Sequence, residues 1–251
     1  MMSELQRFSL SQALILLISF LLLQTFFPVA GQLDLSLIQP WTGLHGEFPW
    51  RYNWFLETLN HRYIKNLIIF CDVIFLGLWL ASFKVKSLAP QRWQYAYLFF
   101  LVIFSSSMIG ILKSQSGHAC PWNMTDATTT GFLWNFSLRH GHCFPGGHAA
   151  TGFSLMAGFF AFRQSQPKRA YFYLLAGLIL GFAMGWAQMM RGAHFLSHNL
   201  WTAWVIWSCN VCLYPMFNKY LVRQGITHSA QVSSDLPAVQ AMTAASNKEA
   251  A

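Results

Sequence analysis

Charge is what this 251-residue chain has least of: Asp, Glu, Lys and Arg make up 10% of it, against about a quarter of an ordinary soluble domain. So few charged side chains cannot clothe a globule in water, and with 55% hydrophobic residues the composition is that of a membrane protein. A basic binding face is missing too. The formal charge of +8 comes from 16 Lys and Arg against 8 Asp and Glu, but the basic residues stand in small clusters between apolar runs. That pattern orients a chain in a bilayer and argues against a nucleic-acid partner. No internal repeat stands out, nothing marks a second domain, and the short loops leave no room for a large headgroup domain.

What is there in abundance is apolar sequence. Runs near the roughly 20 residues that cross a hydrocarbon layer of about 30 Å fall at 10–29, 64–83, 95–112, 148–163, 170–190 and 199–217. The expected fold is an all-α polytopic bundle of about six transmembrane helices. The first run also has the look of a secretory signal, with Arg7 ahead of it and Ala30 near a cleavage point, but its length favours an uncleaved helix.

Alternate connections carry unequal positive charge. One side collects Arg7, Lys84, Lys86, Arg92, Arg163, Lys168, Arg169, Lys219, Arg223 and Lys248; the other has Arg51, Arg62, Lys65, Lys113, Arg139 and Arg191. The richer side is cytoplasmic by the positive-inside rule, which puts both termini there. The chain divides into a first helix and interfacial segment (1–62), a helical core (63–223) and a disordered cytoplasmic tail (224–251) of Ala, Ser, Thr and Gln. Trp41, Trp50 and Trp54 suit an element lying at headgroup level, as an anchor or a guide for a lipid.

On the less basic face this layout gathers three polar stretches: KSQSGHACP (113–121), RHGHCFPGGH (139–148) and QMMRGAHFLSH (188–198). In the second, Pro145 fixes its backbone and Gly146 and Gly147 have access to conformations closed to other residues, so consecutive N–H groups can converge where His148 opens a helix. That suits an anion such as phosphate; the competing reading is a tight turn into a membrane helix. In the third, a helix would align Gln188, Arg191, His194 and His198 on one face. Ionisable groups at a membrane boundary are costly and usually functional. Lys113, alone, equally suits a side chain snorkelling to the headgroups.

The three stretches together resemble the type 2 phosphatidic acid phosphatase (PAP2) superfamily, whose members include bacterial lipid phosphatases and vanadium haloperoxidases. That pattern reads Lys, six residues, Arg-Pro; Pro-Ser-Gly-His; and Ser-Arg, five residues, His, three residues, Asp. Lys113 and Pro121 keep the first spacing, Pro145, Gly147 and His148 the second, and His194 the third, over roughly residues 60–217. Cys120, Gln188 and His198 stand where the pattern has Arg, Arg and Asp, and Gly146 where it has Ser.

The resemblance implies a phosphatase with His194 as nucleophile and His148 as general acid and base, needing neither metal nor cofactor. Lys113 and the Gly146 and Gly147 backbone would hold the phosphate, with Arg191 and Arg139 as replacements for the missing guanidiniums. His198 would orient His194. In an oxidising periplasm Cys120 and Cys143 would form a disulfide joining the first two stretches. The implied setting is a bacterial inner membrane with the site on the periplasmic face. The implied substrate is undecaprenyl pyrophosphate, phosphatidic acid, phosphatidylglycerol phosphate or a lipid A phosphate. Three alternatives stay open: a non-catalytic binding or transport protein, a haloperoxidase using bound vanadate, and a metal site built from His148, His194, His198 and cysteines.

Overall fold

The computed structural model describes residues 2–138 and 141–249, with 60, 61 and 223–249 described by backbone alone. Among the described residues eight α-helices run in the order α1 (Glu4–Phe26), α2 (Gln32–Ile38), α3 (Lys65–Ala81), α4 (Arg92–Gln115), α5 (Gly147–Phe153), α6 (Ala157–Phe162), α7 (Pro167–Met190) and α8 (Leu196–Glu249). A π-helical stretch, Phe55–Ile64, leads into α3. The chain is helical, as expected, apart from a two-strand hairpin of β1 (Thr125–Ala127) and β2 (Phe132–Trp134), paired antiparallel between α4 and α5. The 224–251 tail, expected to be disordered, lies outside the residues described in full.

Among the described residues four helical stretches are long and apolar enough to cross a membrane: Glu4–Phe26, Phe55–Ala81, Lys86–Gln115 and Pro167–Met190. The other two expected spans differ for identifiable reasons. The run at 148–163 is α5 and α6 joined by a 3-10 turn, Ser154–Met156, a rod of only about 24 Å at 1.5 Å per residue. The run at 199–217 is the first part of α8, where Asn199, Thr202 and Asn210 dilute the apolar sequence and are buried.

Asn210 and Thr202 find partners inside the bundle, as a lipid environment requires. Tyr97 donates its hydroxyl to Asn210 Oδ1 at 3.1 Å, and Trp207 Nε1 donates to Gln12 of α1 at 3.0 Å. Trp204 Nε1 reaches the Leu16 carbonyl at 3.1 Å, so α1 lies against α8. Its other faces leave Leu10, Leu14, Leu17 and Leu21 exposed, a surface made for acyl chains rather than water.

The packed interior forms three tiers along the bundle. Tyr97, Leu101, Phe160, Phe162 and Tyr214 fill one end, and Ile109, Phe153, Met156 and Ile206 the middle. The third tier joins Ile38 and Phe48, from the segment after α1, to Ala119, Met124 and Phe195. That segment is therefore not only a headgroup anchor: it packs onto the loops that carry the three polar stretches.

Candidate active site

Lys113 stands in the last turn of α4. Its Nζ lies 3.7 Å from where a Cβ on Gly147 would be, so the ammonium rests against bare backbone at the start of α5. His148 is the next residue, and its ring centre is 6.1 Å from that of His194. His194 and His198 face each other through their Nδ1 atoms at 3.4 Å. Residues far apart in sequence thus form one cluster.

Burial shapes its chemistry. His194 is 2% exposed and His198 fully enclosed, with the rings of Phe144 and Phe195 edge-on to His198 at centre distances of 5.5 and 5.4 Å. Burial holds the His194 pKa well below its ordinary value, and neighbouring His198, Lys113 and His148 push the same way; a hydrogen bond to the Cys143 backbone opposes them. His198 is pushed down to about 3 by burial, then by His118 and Lys113. At neutral pH both rings are uncharged, and one Nδ1–H donates to the other Nδ1.

The local turns explain how these groups meet. The helical stripe expected across 188–198 does not exist, because α7 ends at Met190 and Gly192 adopts a φ of +74°. Gly192 N–H bonds the Met189 carbonyl at 2.8 Å and Ala193 N–H the Gln188 carbonyl at 2.9 Å, the pairing of a helix closed by a left-handed residue. His194 therefore lies in the turn and His198 in the first turns of α8. Arg191, expected beside them on the phosphate, has other partners. Its Nε donates to the Arg51 carbonyl at 2.8 Å, its Nη1 to Gln188 Oε1 at 3.2 Å, and its Nη2 lies 3.9 Å from Glu57.

Gly146 also departs from expectation. Its φ is −73°, open to any residue; what it provides is closeness, since a Cβ there would stand 2.8 Å from Asn199 Oδ1. Its N–H donates to the His198 carbonyl at 3.3 Å, and Thr202 Oγ1 donates to both the His198 and Gly146 carbonyls. That donor serves to lock the glycine turn to α8 rather than to meet an anion. Cys120 and Cys143 are joined in a disulfide with Cα atoms 5.2 Å apart, and Cys143 N–H also bonds the His118 carbonyl at 3.1 Å. Arg139 lies outside the described residues. Among the described residues no group of three or more His, Cys, Asp or Glu side chains is placed to hold a metal ion.

A profile of the PAP2 superfamily matches residues 94–221, about half of the chain and the whole of this cluster. The chain belongs to the PAP2 superfamily. Two curated relatives of this PAP2 protein are both named Lipid A 1-phosphatase. The one from Rhizobium johnstonii is 33% identical over 141 residues, 52% of this chain and 53% of the relative. The one from Rhizobium etli is 32% identical over 109 residues, 42% of each. The chain thus spans about half the length of the curated relatives it matches. No solved structure matches it.

Two features of the PAP2 site were not foreseen. His118, in the first polar stretch, lines both a groove of about 580 Å³ and a smaller cavity of about 200 Å³ that His198 also lines. The second is Asp34 of α2, buried at 4% exposure. It accepts from the Ser197 N–H at 2.9 Å, from the Ser197 hydroxyl and from the Ala30 N–H at 2.9 Å. Burial raises its pKa and the Ser197 bonds lower it. A lone acid in an apolar segment is a sequence signal, but its partner 163 residues away is not.

Proposed function

We propose that this PAP2 protein is a phosphatase that removes phosphate from a membrane lipid through a phosphohistidine on His194. The observation that carries the reading is the meeting of a neutral, buried His194 with His148 at a ring-centre distance of 6.1 Å, beside the Lys113 ammonium.

With His194 Nδ1–H donating to His198 Nδ1, the lone pair of the neutral His194 ring stands on Nε2 and is the one that attacks phosphorus. As the Nε2–P bond forms, the P–O bond to the lipid breaks, and protonated His148 gives its proton to the departing oxygen. Neutral His148 then takes a proton from water as its oxygen attacks phosphorus. The P–N bond breaks, its electron pair returns to His194, and inorganic phosphate leaves. Phosphoryl transfer asks mainly for positioning and for compensation of charge on the equatorial oxygens. Lys113 supplies that charge, and neither metal nor cofactor takes part.

The substrate reading is a lipid A phosphate at the outer leaflet of a bacterial inner membrane, on the face opposite the basic loops. Its supports are the names of the two Rhizobium relatives and the 580 Å³ groove. Phe20, Leu112, Trp201 and Trp204 make that groove apolar where acyl chains lie, while His118 and Pro145 line it too. The test is phosphate release by the purified protein from lipid A, undecaprenyl pyrophosphate, phosphatidic acid and phosphatidylglycerol phosphate, with and without orthovanadate. Vanadate-sensitive release, fastest from lipid A, is expected. Release from another lipid of the panel overturns the substrate, and release from none overturns the enzyme in favour of a binding role.

A further inference from the structure

The helix that carries His198 begins without a local cap. A helix start leaves its first N–H groups unpaired, usually met by a Ser, Thr, Asn or Asp just ahead of it. Here α8 opens at Leu196, and Phe195 before it has no oxygen to offer. The need is met from the other end of the chain. Asp34, in α2 and outside the matched region 94–221, accepts from the backbone N–H of Ser197 and from the Ser197 hydroxyl. The Ala30 N–H fixes the carboxylate from its own side, and its charge suits the positive end of the α8 dipole.

The grip falls at a sensitive place. Ser197 immediately precedes His198, and the backbone it holds continues through Phe195 to His194. The other groups acting on the two rings are Lys113, His148, His118 and the Cys143 backbone. Asp34 is also one of only two buried acids among the described residues, and the other, Asp72, lies in α3.

We propose that Asp34 is a positioning residue for the phosphoryl transfer: by capping α8 from the segment after α1, it sets His198 against His194 and so aims His194 Nε2. This rests on the phosphatase reading above. It extends the working site to a part of the chain that the family match does not include.

The test measures kcat and KM of wild type, Asp34→Ala, Asp34→Asn and Ser197→Ala on a soluble aryl phosphate and on the preferred lipid phosphate, below the melting temperature of each. Asp34→Ala is expected to lower kcat at least about tenfold, as misplacing a reacting group does, with KM within about twofold. Asp34→Asn, whose amide oxygen can still accept from the Ser197 N–H while its NH2 replaces the oxygen that accepts from Ala30 N–H, is expected to recover part of kcat. Ser197→Ala should give a smaller loss of the same kind, and it decides the matter if Asp34→Ala does not fold. Wild-type kcat in both Asp34→Ala and Ser197→Ala overturns the proposal, as does a loss that only tracks the unfolded fraction. A wild-type protein inactive on every phosphate ester overturns it together with the phosphatase reading; an active wild type matched by its variants overturns it alone.

Discussion

A contact between two imidazole Nδ1 atoms at 3.4 Å needs one proton and one lone pair, so it survives only while at least one ring is neutral. Burial of both rings secures this. The acid limb of kcat/KM should then lie below the ordinary histidine value of about 6.5, because His194 keeps its lone pair until pH falls through its lowered pKa. A limb at or above that value, measured on a soluble phosphate ester, would contradict the buried neutral pair. His194→Ala and His148→Ala should each lower turnover at least about a hundredfold, the scale of lost acid-base help, and His198→Asp should keep or raise it; steady-state phosphate release checks all three. Lys113, His148 and His194 could be read from spacing because each sits at a fixed place beside a helix end. Arg191 could not, since its direction is set by the Arg51 carbonyl and Glu57, about 140 positions earlier.

Among the elements, the turn between α7 and α8 decides most. A helix through 188–198 would have set His194 and His198 on one surface a turn apart. Gly192 instead closes α7, leaving His194 in the turn and His198 in the first turns of α8, with their Nδ1 atoms in contact. An L side chain at its φ of +74° costs about 1–2 kcal/mol, and a Cβ there would press on the Phe48 ring. Gly192→Ala is therefore expected to lower the melting temperature by roughly 2–8 °C and to reduce kcat, as scanning fluorimetry and phosphate release will report. The sequence contains the glycine, but a stripe of polar residues at helical spacing reads equally well as one helix, and only the carbonyls of Gln188 and Met189 reveal where it closes. Likewise Gly146 and Gly147 read in the sequence as a turn needing glycine's conformational freedom, whereas Gly146 provides closeness, and the neighbour that exploits it proves to be Asn199.

At the scale of the whole molecule apolar side chains face outward as well as inward: leucines are exposed on α1, while Gln12, Gln94, Asn199, Thr202 and Asn210 are buried in a largely apolar interior. Composition alone disclosed a membrane protein, and runs of apolar residues located the helices. Less legible was the short 147–162 rod, whose broken helix passes for a span in any count of apolar residues, and the capping role of the segment after α1, which depends on a contact across most of the chain. The Cys120–Cys143 bridge has its own bearing on how this protein comes of age. It staples the turn following Lys113 to the turn preceding His148, and such a staple sets only where thiols lose electrons. On the phosphatase reading, a chain kept reduced would hold all its histidines and yet lack the fastening between them, so oxidation, rather than synthesis, would complete the site.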